Sequence, residues 1–235
     1  MPNELHNQAA KFNHSFIELS KFLDKWVDEI KKKAIQDDIR RAAWLVWGRY
    51  SISIRTLHKI CDPYLLPDIW LIGRSCLEHE ATLKGIINDP KIAEDFLNFM
   101  DRAKAYYAWL LEKLGHNDQL AHLEPDLKRT FGENWRKEKL ATWSKASELV
   151  ERYEGDDGRC CYALWSHFTH CSVVASNFLE NTAPTLHNLD TTIVVVYGGY
   201  VLTTHDFLEF VWGSIATSYS DRCKSDFLNV MRKWI

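Results

Sequence analysis

The chain has 235 residues, 46% of them hydrophobic and 26% charged, with a formal net charge of -3 at neutral pH. It is long enough and apolar enough to bury a real core, which excludes disordered, collagen-like and purely coiled-coil chains. A weakly acidic balance also excludes a general polyanion binder, which needs a broad positive field.

Only 10 glycines and 6 prolines interrupt the sequence, and so few breakers favour helices. The prolines act as punctuation, at Pro63, Pro67, Pro90, Pro125 and Pro184. A first helix is predicted from about Asn3 to Ala34, with Phe12, Phe16, Leu19, Phe22, Leu23 and Trp26 on one apolar face. Its basic end, Lys31-Lys32-Lys33, complements the helix dipole. A second helix begins near Asp37-Asp38 and runs through Trp44, Trp47, Ile54 and Leu57 to about Ile60. A third starts after Pro67 and continues to Ile87, and Asn88-Asp89-Pro90 ends it and opens a fourth that stops at Gly115. Residues 116–135 are less regular and read as short helices broken near Pro125. A helix over about Ala141–Tyr153 ends at Gly155, and another begins at Asp156-Asp157 and runs to Leu179.

The stretch Thr191-Thr192-Ile193-Val194-Val195-Val196-Tyr197 is β-branched and reads locally as a strand. No partner strand occurs elsewhere, and a lone buried strand leaves its backbone groups unpaired, so a buried helix is the expectation. The apolar run from Ile193 to Leu202 is too short to span a bilayer, which needs ~20 residues. An amphipathic piece over Ser225–Trp234 closes the chain. Together these elements predict an all-α, up-and-down helical bundle of about six to eight helices, in a single domain.

Charge is unevenly distributed. Residues 1–60 are net basic and residues 61–125 net acidic, and there is no Lys or Arg between Arg159 and Arg222. Such a charge-poor stretch has little to offer water and is expected inside. The six cysteines, Cys61, Cys76, Cys160, Cys161, Cys171 and Cys223, contain no Cys-x-x-Cys, which argues against a zinc framework. The first residues lack the apolar core of a signal peptide, so reduced thiols in a cytoplasm are expected. Nucleotide-binding glycine motifs are missing, His79-Glu80 lacks the second histidine of a zinc protease, and no Glu-x-x-His occurs for a di-iron site. The expectation is therefore no metal and no cofactor.

Two places break the apolar pattern of otherwise buried helices. In Arg74-Ser75-Cys76-Leu77-Glu78 the guanidinium and carboxylate lie four residues apart and share a helix face. In Trp165-Ser166-His167-Phe168-Thr169-His170 the same spacing joins Ser166 to His170. Buried charge survives only when paired, so the economical arrangement sets Arg74 and Glu78 against Ser166 and His170 across two packed helices. A carboxylate beside His170 would favour the imidazolium and orient the ring. These four are the candidate catalytic residues, with Trp165 and His167 as candidate binding residues beside them. A separate basic patch, Lys128, Arg129, Arg136, Lys137 and Lys139 around Phe131 and Trp135, is a candidate binding surface for single-stranded nucleic acid, diluted by Glu133 and Glu138.

The order of Arg74-x-x-x-Glu78, the aromatic-rich stretch Phe96 to Leu114, Trp135, the helix from Trp143 to Val150, Tyr162 and Ser166-x-x-x-His170 resembles the bacterial family called domain of unknown function 5677 over roughly residues 65–180. That resemblance implies an all-helical fold with Arg74, Glu78, Ser166 and His170 as characteristic positions, and it carries no assigned reaction. Cys171 departs from the pattern, where a small residue or proline is expected. The bundle is more distantly similar to the HEPN class of helical ribonucleases, whose arginine precedes the histidine by four to six residues on one helix of a dimer. Here those positions are Ser166, Trp165 and Leu164, and Arg159 lies too far back, so Arg74 would have to be borrowed from the neighbouring helix. The functional expectation is a cytoplasmic helical domain, structural or binding, that can form a homodimer. The alternative is a metal-independent nuclease or nucleotide-binding domain of a bacterial defence or toxin–antitoxin system.

Overall fold

A computed structural model of the chain describes residues 2–62, 65–138, 145–169 and 186–212. Every regular element among them is helical, as the breaker-poor composition implies: α1 (Pro2–Ala34), α2 (Asp38–Lys59), α3 (Leu66–Asn88), α4 (Pro90–Lys113), α5 (Asn117–Phe131), a 3-10 turn (Gly132–Lys137), α6 (Ala146–Tyr153), α7 (Asp156–Thr169) and α8 (Leu186–Trp212). Local chemistry sets the boundaries. Asp37 caps α2 by accepting the Arg40 N–H at 2.8 Å. Asp89 closes α3 and opens α4, where its carboxylate accepts the Lys91 N–H at 2.9 Å and Pro90 takes the first helical position. Beyond α4 the chain turns at Gly115, with φ of 76°.

α3 is the central helix, packed against α2, α4, α6, α7 and α8, while α8 lies on α1, α2 and α3. One core cluster runs through α1, α2, α3 and α8 and includes Leu19, Leu23, Ile54, Leu57, Ile69, Tyr197 and Phe207. A smaller cluster of Ala105, Ala108, Leu111, Leu120, Leu127 and Trp135 ties α5 and the 3-10 turn to the far half of α4.

Two local readings come out differently or more sharply than sequence suggests. α5 runs unbroken across Pro125, because burial of Leu120 and Leu127 on either side of it outweighs one missing hydrogen bond. The β-branched stretch is helical, within α8. Tertiary packing decides there: Val196, Tyr197, Tyr200 and Val201 are sealed in the core, a burial that exceeds the small helix penalty of β-branching. No helix among the described residues is long and apolar enough to cross a membrane. The predicted continuation of α7 beyond Thr169, the segment 139–144 and the closing amphipathic piece lie outside the described residues.

A row of hydroxyls sets the rotation of α8. Thr192 accepts the Trp70 indole N–H at 3.1 Å, and Thr204 accepts that of Trp47 at 3.2 Å. Tyr197 meets His58 at 3.2 Å and Tyr200 meets Ser51 at 2.8 Å. Each contact satisfies polar atoms that burial would otherwise strand. Close helix approach uses glycine. A Cβ at Gly73 would lie 2.8 Å from the Trp165 ring, and one at Gly199 would lie 2.2 Å from a Glu80 carboxylate oxygen. Gly199→Ala is therefore expected to lower stability by about 1–3 kcal/mol through overpacking. Gly48→Ala, where a Cβ meets nothing within 4 Å, should raise it by up to ~1 kcal/mol through helix propensity. Thermal denaturation of the two variants checks both signs.

Candidate functional site

α3 carries two polar groupings on different faces. The first is the predicted pair. Arg74 Nη2 lies 3.0 Å from Glu78 Oε1, with the side chains 21% and 29% exposed. The partner that reaches them from α7 is Tyr162, not Ser166. The Tyr162 hydroxyl donates to Glu78 Oε1 at 3.1 Å, and the Arg74 guanidinium sits 5.5 Å from the centre of its ring. Burial pushes the Tyr162 phenol above its ordinary pKa, Arg74 pulls it back, and the Glu78 carboxylate adds to the rise. Ser166 donates instead to the Tyr162 backbone carbonyl at 2.7 Å, one turn back on its own helix. Its hydroxyl proton is thus engaged locally. Trp165 is buried against Gly73 as a packing residue, and His167 is exposed. His170 lies outside the described residues.

Arg74 and Glu78 also line a cleft of about 670 Å³ between α2, α3 and α4, to which α6 contributes Ala146. α2 supplies Trp44, Leu45, Gly48, Arg49 and Ile52, and α4 supplies Phe96, Phe99 and Met100. Three of these apolar side chains are open to solvent: Leu45 at 37%, Ile52 at 62% and Met100 at 39%. From α3 come Arg74, Glu78, His79 and Thr82. His79 is held neutral at pH 7. Burial lowers its pKa to about 4, the Ser75 backbone opposes the shift, and Arg49 acts in the same direction as burial. Its Nδ1 and the Nε of Arg74 are buried without a well-formed hydrogen bond.

The second grouping escaped the sequence reading. Glu80 is 2% exposed, in the middle of the core. Its carboxylate accepts from the Tyr50 hydroxyl at 2.9 Å and the Thr203 hydroxyl at 3.2 Å. Lys84 Nζ lies 2.7 Å from Glu80 and 3.1 Å from Glu154. Two carboxylates thus share one ammonium. Burial works to lower the Lys84 pKa, but the two carboxylates outweigh it and the net shift is upward. Burial pushes Glu154 up to about 7, reinforced by Glu80 and opposed by Lys84. The signal was present in sequence: Glu80 follows Leu77 by three residues on the buried face and precedes Lys84 by four.

Three cations of the basic patch are paired with carboxylates, and Lys139 lies outside the described residues. Lys128 faces Glu124 and Glu133, Arg129 faces Asp126, and Arg136 bridges Glu112 and Glu124 while stacking 4.4 Å from the Trp135 ring. Among the described residues, no three metal-ligating side chains converge. Comparison of the chain with known protein families, with curated proteins and with solved structures finds no match.

Two outcomes follow from these geometries. Tyr162→Phe removes one half-buried bond to a charged acceptor and should cost ~1–2 kcal/mol in denaturant titration. For Glu154 the folded-state pKa exceeds the unfolded one. The native state therefore binds more protons between about pH 4.5 and about 7, and this group's contribution to stability falls as pH rises through that window. Glu154→Gln should flatten that decline, measured as the midpoint of urea unfolding against pH.

Proposed function

We propose that this chain is a ligand-binding helical domain whose site is the cleft between α2, α3 and α4. The observation that carries the reading is the meeting of solvent-open Leu45, Ile52 and Met100 with the Arg74–Glu78 pair in one concavity. A volume of about 670 Å³, mostly apolar walls and a few polar groups fit a small-molecule site. Exposed apolar side chains gathered in one place, rather than scattered, favour an interaction surface. Arg74 pinned to Glu78 favours holding over proton transfer, because an arginine stays protonated and its carboxylate is engaged. The buried Glu80–Lys84–Glu154 network serves the fold. The reading places the domain in the cytoplasm, consistent with the free thiols of Cys61, Cys76, Cys160 and Cys161.

The test is titration with the neutral fluorescent probe N-phenyl-1-naphthylamine. Saturable one-site binding is expected for the wild type. Gly48→Leu projects a side chain into open space on the cleft wall and should abolish the signal while leaving the far-UV circular dichroism intact. Equal binding by both proteins would overturn the assignment. Labelled RNA incubated with and without EDTA tests the competing nuclease reading, which cleavage abolished by Arg74→Ala would favour instead.

A further inference from the structure

The described residues of the cleft leave a net charge unbalanced. Glu78 is engaged twice, by Arg74 and by the Tyr162 hydroxyl. Arg49, exposed on the α2 wall, has no carboxylate within ion-pair distance among the described residues. His79 beside it is neutral at pH 7. Among the described residues that line it, Arg49, Arg74 and Glu78 are the charged ones, and they leave one excess positive charge. In the same cleft α4 presents Phe96, Phe99 and Met100, and α2 adds Trp44, Leu45 and Ile52.

From this geometry we infer that the cleft takes an amphipathic monoanion, with an apolar body lying along α4 and Trp44 and a single carboxylate-type head at Arg49 and Arg74. This rests on the ligand-binding reading and names the class of ligand. A neutral amphiphile leaves the Arg49 charge unmatched. A cationic one meets like charge from Arg49, because the carboxylate of Glu78 is already engaged. A dianion exceeds the single charge available. A guanidinium also suits a carboxylate head in this setting, since it is planar, weakly hydrated and lies beside aromatic walls, where a compact ammonium would hold its water. The neutral imidazole and Thr82 provide polar contact without adding charge.

The experiment is isothermal titration of the full chain with decanoate, 1-decanol and decyltrimethylammonium, three probes of one chain length and different head charge. Decanoate is expected to bind at one site, at least about ten-fold tighter than either other probe, the scale of one net charge-assisted contact. Its affinity should fall with added salt. Arg49→Gln, at an exposed position with no ion-pair partner among the described residues, should remove most of the preference. Equal binding of all three probes, each blocked by Gly48→Leu, would overturn the anion assignment and leave the ligand-binding reading standing. Tightest binding of the cationic probe would do the same. Failure of all three, with no probe fluorescence in the cleft, would bring down both. Retention of the full preference in Arg49→Gln would also overturn the inference, since the head would then not depend on the unmatched charge.

Discussion

The bundle is organised around one carboxylate placed where water cannot reach it. Glu80 sits at the centre of the central helix, almost wholly buried, and an ion there is tolerated only if its oxygens are fully engaged. Tyr50 from α2, Thr203 from α8 and Lys84 from one turn along α3 supply those partners. Each comes from a defined height on its helix, so satisfying one charge fixes the relative position of three helices. Gly199 completes the arrangement, since any side chain there would overlap the carboxylate. Purely apolar packing tolerates sliding by a residue or a turn, whereas a buried carboxylate with two hydroxyl donors does not. Glu154 extends the same charge network to the short helix α6, which reaches the edge of the cleft at Ala146.

The two polar pairs of α3 have the same spacing and opposite uses. Arg74 and Glu78 lead Glu80 and Lys84 by six residues, which turns the pairs roughly 120° apart around the axis at 3.6 residues per turn. One pair therefore faces the α2–α8 interior. The other faces α7 on one side and an open concavity on the other. Burial separates their roles. The inner pair holds the helices in register. The outer pair remains partly hydrated, where a guanidinium can meet a ligand without first breaking the core.

The apolar rim is what favours the cleft, over the basic surface around Trp135, as the proposed binding site. Lys128, Arg129 and Arg136 each face carboxylates, so their combined field is small beyond a Debye length. In the cleft, Leu45, Ile52 and Met100 stay in water at a cost that an apolar partner would remove.

Much of the helical plan was legible from residues alone. Phe16, Leu19, Phe22 and Leu23 recur at helical spacing and are buried together, and Asp37, Asp89-Pro90 and Gly115 end helices for local reasons that any reader of the chain meets. The Arg74–Glu78 contact was equally local, because a spacing of four places both on one face. Tertiary structure decided what local rules leave open. Thr191 to Tyr197 is helical only because three neighbouring helices bury it, and α5 crosses Pro125 because the residues around it pack. Tyr162 displaced Ser166 as the partner of Glu78 because side-chain reach across two helices depends on their rotation. Arg49 and the aromatic wall of α4 meet only in space. Periodicity reports which side of a helix faces inward; which other helix it faces depends on packing between segments far apart in the chain, and spacing carries no record of that.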